Sequence, residues 1–309
     1  MRCLVAIVGP TAVGKSRSGI QIAKQFNGEI INADSRQIYK LMDIGTAKPS
    51  LEDRNVVPHH IVDIIYPDQP YSVALYQHSA YEAIDSIQQR GKLPVMVGGS
   101  GQYIWSVIEG WTIPQVKPDR TYRESMEDRA RLVGSTGLYS ELEGIDPEAA
   151  RKIQPNNLRR IIRALEIYHQ TGVKPSELQI KKSLNYPVLI IGITVDRPEL
   201  YSLIDTRADE MIAAGFVDEV KMLLSSGYSP ELPAMSSIGY RQIIEHINDK
   251  VSLCEAVQKI KYETHRFARG QYAWFRLRDS RISWFNIDDA IGDKINYTIE
   301  TFLTNVRQS

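Results

Sequence analysis

The chain has 309 residues, about two domains or one large one at roughly 150 residues per domain. Hydrophobic residues make up 43% and charged residues 24%, which sets aside a disordered, collagen-like or coiled-coil chain. Lys plus Arg and Asp plus Glu both number 37, so whole-chain charge gives no pull toward a nucleic acid, and only local patches could supply one.

Leu4 to Val8 is a continuous apolar run, too short for a buried helix and rich in β-branched residues, and it reads as a strand covered on both faces. GPTAVGKS follows at 9–16, then a helical pattern to about Phe26 with Ile20, Ile22 and Ala23 on one side. A second strand is predicted over Glu29–Ala33, after the Asn27-Gly28 breaker. A third, Leu93–Val97, follows a helix over roughly Leu75–Gln89 and stops at Gly98-Gly99. A fourth is predicted over Val188–Val195, and a last over Ile282–Ile287. Strands alternating with helices at this spacing predict an α/β fold, a doubly wound parallel sheet. From Pro118 to Gly172 the pattern is helical and charged, with breaks at Gly134, Gly137 and Pro147. The expectation is a core of residues 1–113 and 185–309, with a helical C-terminal part, interrupted by a helical insertion domain at 114–184.

Cys3 and Cys254 lie far apart, so neither a disulfide framework nor a Cys-based zinc site is expected. No apolar run approaches the ~20 residues of a membrane span. The opening MRCLVAIVGP lacks the long apolar stretch and small-residue cleavage site of a signal peptide. A soluble, cytoplasmic protein with no membrane partner is expected.

GPTAVGKS fits G-x-x-x-x-G-K-[ST] and lies between a strand and a helix, as a P-loop must. Glycines let the backbone curl so that successive N–H groups point inward, and the following helix adds its positive end. Lys15 supplies a movable cation, and the Ser16 hydroxyl can ligate Mg²⁺. The chain is therefore expected to bind a di- or triphosphate, and the motif alone does not separate pyrophosphate from the phosphates of ATP. A P-loop ATPase usually has a second acid at the end of another core strand. Here the third strand ends in PVMVGGSG, with glycines at that place. Asp34, after the second strand, is a carboxylate beside the cradle, though an N-cap or turn acid would look the same in sequence.

GPTAVGKS, NADSRQIYKLMDIGTAKP, PHHIVDI, PVMVGGSGQY, NNLRRIIRALEIY, AAGFVDEV, SSIGYRQ and QYAWFR occur in the order seen in tRNA dimethylallyltransferases, and the chain resembles that family from about Val5 to Arg276. The resemblance implies a P-loop NTPase-like core. It also implies transfer of a dimethylallyl group from dimethylallyl pyrophosphate to the exocyclic amine of the adenosine 3′ to the anticodon of tRNA, at position 37. The products would be isopentenyladenosine and pyrophosphate, which explains the absent hydrolytic acid, since pyrophosphate leaves intact. By the same resemblance Asp34 accepts the amine proton, and Ser100, where the family usually has Thr, aims a hydroxyl at the bridging oxygen. Gly9, Pro10, Thr11, Ala12, Val13, Gly14, Lys15 and Ser16 would hold the pyrophosphate with Mg²⁺ on Ser16, and Arg207 would reach it too. In sequence alone, Ser100 is a turn serine and Arg207 a solvated helix residue.

Two basic stretches qualify as phosphate-backbone surfaces, Arg151–Arg163 with five basic residues and Lys259–Arg281 with seven. Family positions implied in tRNA contact are Asp34, Ser35, Arg36, Gln37 and Ser100, then Arg159, Arg160 and Arg163, then Gly239, Tyr240 and Arg241 within Ser236–Arg241, with a further one near Tyr122 or Arg123. Gln37 has an amide suited to the donor and acceptor edge of adenine. The tRNA anticodon stem-loop is expected to be gripped between insertion and core by a monomer, with the target base unstacked. His265 and Gly270 stand where many relatives have arginines. His59 and His60 are read as packing or capping residues, and Trp105, Trp111 and Trp274 as core or hinge packing. A small-molecule kinase, prenylation of free adenine nucleotides and a non-catalytic RNA-binding module are the alternatives.

Overall fold

The β-branched runs assemble into one parallel sheet. The computed structural model describes residues 2–114, 116–178, 180–182, 184–288 and 291–308. Its strands are β1 (Leu4–Val8), β2 (Gly28–Asn32), β3 (His59–His60), β4 (Leu93–Val97), β5 (Val188–Thr194) and β6 (Ile282–Asn286). They lie in the order β3-β2-β4-β1-β5-β6, and every pairing is parallel. β1, β2 and β4 are buried at each residue, the condition that near-continuous apolar strands satisfy.

α1 (Lys15–Gln25), α2 (Leu51–Val56), α3 (Val73–Gln89) and α4 (Gly101–Ile108) accompany these strands. The β1-to-β2 and β3-to-β4 crossovers run in opposite directions along the sheet, so right-handed connections put α1 and α3 on opposite faces. Val5 and Ile7 share a core with Ile22 and Ala23 of α1.

β3 was not legible in the sequence, because two residues carry no period. It is held at the sheet edge by side chains. His60 Nε2 lies 2.7 Å from Glu29 Oε2, and Arg90 and Lys92 reach the same buried carboxylate at 2.6 and 2.9 Å. Burial pushes Glu29 up, but Lys92, His60 and Arg90 outweigh it and hold the carboxyl down at about 2. His60 thus hydrogen-bonds a buried carboxylate, and among the described residues no group of three or more His, Cys, Asp or Glu is placed to hold a metal ion.

The chain divides into two compact units, Met1–Ile108 with Leu184–Ser309, and Glu109–Ser183. The second begins before the Pro114 expected from sequence because its two ends pair: Lys182 N–H donates to Gly110 C=O at 2.9 Å, and Trp111 bridges Lys181. It contains α5 (Arg120–Ile145), α6 (Pro147–Arg151), α7 (Leu158–Thr171) and α8 (Pro175–Leu178). Gly134, at φ 74°, breaks α5 as expected, whereas Gly137 continues the helix. Met126, Leu138, Leu142, Ile161 and Leu165 form its core. The first unit ends with α9 (Arg197–Ala213), α10 (Phe216–Ser225), α11 (Tyr240–Ile247), α12 (Leu253–Trp274) and α13 (Ile291–Gln308). Among the described residues no helix is long and apolar enough to cross a membrane.

Candidate active site

Three neighbouring strands, β2, β4 and β1, end at the same sheet edge, and each delivers one part of a site there. After β1 the chain turns through Gly9 to Gly14 into α1. Gly9 is required by close approach, since a Cβ there would stand 2.2 Å from the Ile193 carbonyl oxygen. Gly14 adopts φ 79° as the N-cap of α1, and Ala12 is held at φ 70°, a left-handed conformation costly for a residue with a Cβ. After β2 comes Asp34. After β4 come Gly98, whose Cβ would stand 2.1 Å from Ala33 O, then Gly99 and Ser100.

Asp34 and Ser100 are brought together through Ser35. The Ser35 N–H donates to Ser100 Oγ at 3.1 Å, and the two hydroxyls are 3.3 Å apart. Asp34 Oδ1 accepts the Arg36 N–H at 2.8 Å, so Asp34 does cap a turn, as the plain reading had it. Its Oδ2 has no partner among the described residues. A cleft beside these groups is lined by Thr11, Lys15, Ser16, Asn32, Asp34, Gln37, His59, Gly98, Gly99 and Arg207, holds about 50 Å³ and opens to solvent. Lys15 Nζ donates to Pro10 C=O at 2.5 Å, and Arg207 Nη1 to Thr11 Oγ1 at 3.4 Å. Burial and the Arg207 guanidinium push Lys15 down to about 7, against the pull of Asp34, and burial also lowers Arg207. Two buried cations that share the cleft with the Asp34 carboxylate form a site that favours a polyanion. His59, read from sequence as packing, lines this cleft while its Nδ1 bonds Val57 C=O at 2.7 Å; burial pushes the imidazole down.

The loop carrying Asp34 is braced by residues that sequence reasoning missed. One buried carboxylate, Glu219 of α10, accepts the N–H groups of Asp43, Ile44 and Gly45 at 2.9, 2.7 and 3.2 Å. Lys48 Nζ, itself buried, bonds Tyr39 C=O, Asp43 and Asp63 at 2.6, 2.6 and 2.5 Å. Both hydrogens of the Gln37 amide are taken by Thr46 and Ala47 carbonyls, so its donor half is not available to an adenine edge. Arg36 donates to Pro233 C=O at 3.0 Å.

One expected RNA contact, Tyr240, needs correction, and its neighbours have partners of their own. Tyr240 is 0% exposed: its ring packs edge-on against Phe216 and its hydroxyl donates to Glu219 at 2.6 Å. Gly239 sits against the Phe216 ring at φ 95° and Arg241 makes a two-pronged pair with Glu263 at 2.7 Å. Tyr240→Phe is therefore expected to remove a charge-assisted bond of about 1.5–3 kcal/mol and lower the melting temperature by several degrees. Affinity for tRNA should stay within twofold; a selective loss of that affinity would restore Tyr240 to the RNA surface.

In the helical unit, Arg123 and Arg163 turn inward. Both grip Glu166, which is 0% exposed, at 2.7 and 2.5 Å, and Glu166 also accepts the Asp119 N–H. Removing one partner of such a buried cluster would leave the other charge uncompensated. Tyr122 stacks on His169 with centroids 4.6 Å apart. Arg159 and Arg160 are exposed and have no side-chain partner among the described residues. In the C-terminal stretch, Lys259, Lys261 and Arg281 pair with Glu245, Asp209 and Asp279 and Arg269 bonds the Tyr201 hydroxyl, which leaves Arg266, Arg276 and Arg278 as the exposed cations without a side-chain partner among the described residues.

A family profile described as IPP transferase matches residues 37–278. The chain belongs to the IPP transferase family. Within it, a tRNA dimethylallyltransferase of Dehalococcoides mccartyi is 44% identical over 302 residues, covering 98% of this chain and 93% of its own. A solved structure of a tRNA isopentenylpyrophosphate transferase from Bacillus halodurans is similar with a TM-score of 0.71 and 39% identity, covering 99% of this chain and 96% of that one. A eukaryotic dimethylallyltransferase acting on tRNA gives a TM-score of 0.84 at 28% identity, covering 99% and 80%. The family match begins at Gln37 and leaves the P-loop outside it, so the cradle rests on its own geometry.

Proposed function

We propose that this chain transfers a dimethylallyl group from dimethylallyl pyrophosphate to the exocyclic amine of the adenosine 3′ to the anticodon of tRNA, at position 37. The relatives named above are called dimethylallyl- and isopentenyltransferases, and the reading rests on one observation above the others. A phosphate cradle, the Asp34 carboxylate and the Gly98-Gly99 turn line one cleft at the ends of β1, β2 and β4, the next residue, Ser100, is tied by its hydroxyl to Ser35 beside Asp34, and β4 ends in glycines where a hydrolytic acid would stand.

In this reaction the C–O bond between the dimethylallyl C1 and the pyrophosphate breaks, and a bond from C1 to the adenine nitrogen forms. The amine is a weak nucleophile because its lone pair is delocalised into the ring, and Asp34 Oδ2 is the group that takes its proton. Ser100 donates to the bridging oxygen as negative charge collects there. The N–H groups from Gly9 to Ser16, with Lys15 and Arg207, hold the departing pyrophosphate. Ser16 is exposed at the mouth of the cradle, and its hydroxyl would hold Mg²⁺, a cation that takes oxygen ligands. When bound, that ion would neutralise leaving-group charge. Arg159 and Arg160 are the side chains best placed to meet RNA phosphates, and the enzyme works as a cytoplasmic monomer.

The test is transfer of radiolabelled dimethylallyl from its pyrophosphate to unmodified tRNA with Mg²⁺, run beside ATP and beside AMP as acceptor. Label in tRNA alone is expected. Label in AMP would make the protein a free-nucleotide prenyltransferase, and ATP consumed without label would make it a kinase.

Lys15 adds a pH signature. The native state releases its proton near pH 7, the unfolded chain near the ordinary 10.5. Between those values the unfolded chain binds more protons, so the stability of the free protein rises with pH across that window. Bound pyrophosphate pairs with the ammonium and draws the proton back. At pH 8, where a phosphate ester has lost its second proton (pKa about 6), binding of dimethylallyl pyrophosphate should take up close to one proton per site. Calorimetry in buffers of different ionisation enthalpy measures this, and zero uptake at pH 8 would contradict it.

A further inference from the structure

A side chain from far along the sequence joins the two halves of the site. Gln271, near the end of α12, is 4% exposed. Its Oε1 accepts the Thr11 N–H at 2.8 Å, and its Nε2 donates to Gly99 C=O at 3.0 Å. One amide thus bridges the phosphate cradle after β1 and the loop after β4 that presents Ser100. The approach is tight: a Cβ on Gly99 would stand 2.2 Å from Gln271 Nε2, which is a reason for the second glycine of the GGSG turn.

Gln271 has little freedom to choose this position. The Trp274 ring lies against the backbone of Gly101, and Trp105 Nε1 donates to Trp274 C=O at 3.0 Å, which seats the end of α12 on the start of α4. Further back, α12 is zipped to α9 at four-residue steps: Lys261 with Asp209 at 2.8 Å, His265 with Asp205 at 2.8 Å, Arg269 with the Tyr201 hydroxyl at 2.5 Å. Residues four apart share a helix face, so these pairs make a continuous seam. The same α9 carries Arg207, which reaches the Thr11 hydroxyl. Thr11 is consequently held twice, at its amide by α12 and at its side chain by α9.

We infer that Gln271 is a positioning residue for prenyl transfer, which sets the spacing between the pyrophosphate cradle and the Ser100 hydroxyl through its bonds to Thr11 and Gly99. This rests on the reaction proposed above. Its chemistry fits the task because the bridge needs an acceptor at one end and a donor at the other. Glutamate offers only acceptors when ionised, methionine offers neither, and asparagine is one methylene short. Ground-state grip on pyrophosphate draws on the whole cradle, but stabilising the bridging oxygen needs Ser100 at one separation from it. Loss of the bridge should therefore fall more heavily on kcat than on donor affinity.

The experiment compares wild type, Gln271→Met, Ser100→Ala and the double variant, well below their melting temperatures. Q271M is expected to weaken binding of inorganic pyrophosphate about three- to tenfold, as for a lost hydrogen bond. It should lower kcat at saturating donor about 10- to 100-fold. In the S100A background the same change should add little, because residues that act through one another are not additive. Q271M with pyrophosphate affinity and kcat both within twofold of wild type overturns the inference, whether or not it melts earlier. So does full multiplicative loss in the double variant, which would separate Gln271 from Ser100. Wild type that binds pyrophosphate but transfers no label would instead refute the proposed reaction, and the pyrophosphate affinity of Q271M would still decide whether the bridge shapes the cradle.

Discussion

Asp34→Asn should lower kcat for transfer to tRNA by about 10²- to 10⁴-fold, the span of a lost general base, while pyrophosphate affinity changes only a few-fold. Asparagine is the informative replacement. Its Oδ1 can still accept the Arg36 N–H now bonded at 2.8 Å, so the turn after β2 and the Ser35–Ser100 contact remain. What changes is Oδ2, which becomes an NH₂ group unable to take a proton from the attacking amine. Alanine would remove the turn as well and confuse geometry with chemistry. Single-turnover transfer of label at saturating tRNA and donor isolates the step. A D34N rate within tenfold of wild type would place the base elsewhere, with His59 of the same cleft the next group to replace.

Ser100→Ala should cost about 10²- to 10³-fold in kcat, by comparison with removal of one donor to a developing oxyanion, with a smaller change in the KM for donor. Ser100 Oγ already accepts the Ser35 N–H, so its own hydrogen is directed either at Ser35 Oγ, 3.3 Å away, or at a ligand oxygen. A 3.3 Å hydroxyl pair is weak for O–H···O, and a charged leaving oxygen would outcompete it. Ser100→Thr keeps the hydroxyl and should stay within a few-fold of wild type. Equal impairment of S100A and S100T would mean that the position needs small size rather than a donor.

The core strands and the P-loop were legible because both are local patterns: a short β-branched run between breakers, and a glycine spacing with one steric meaning. The acid and hydroxyl at the ends of β2 and β4 could be named from motif resemblance, and strand order then explains why they meet. What was not legible is partnership across the chain. Arg163, in a basic stretch, and Arg123, a position the resemblance implies, look like phosphate contacts, yet both serve Glu166. The available signal was that acid itself, set between Leu165 and Ile167 in an apolar stripe where a lone carboxylate needs cations. Glu219, inside FVDEV, is the same kind of signal, and Tyr240 was misassigned for want of it. Gln271 opens the QYAWFR motif, but its role left no local trace, because an amide in a helix looks solvated until the 260-residue separation to Thr11 is closed.

That separation bears on how the protein is made. β1 emerges first, but one of its neighbours, β4, lies about ninety residues on and the other, β5, about ninety beyond that, while the amide that spans the site arrives only with α12. Loop closure over such distances is slow relative to local helix formation. A nascent chain that has completed the helical unit can already hold a folded bundle while β1 still lacks its neighbour β5 and the phosphate loop its clamp. Full catalytic competence is thus gained late in synthesis, once α12 has emerged and its amide can reach the cradle.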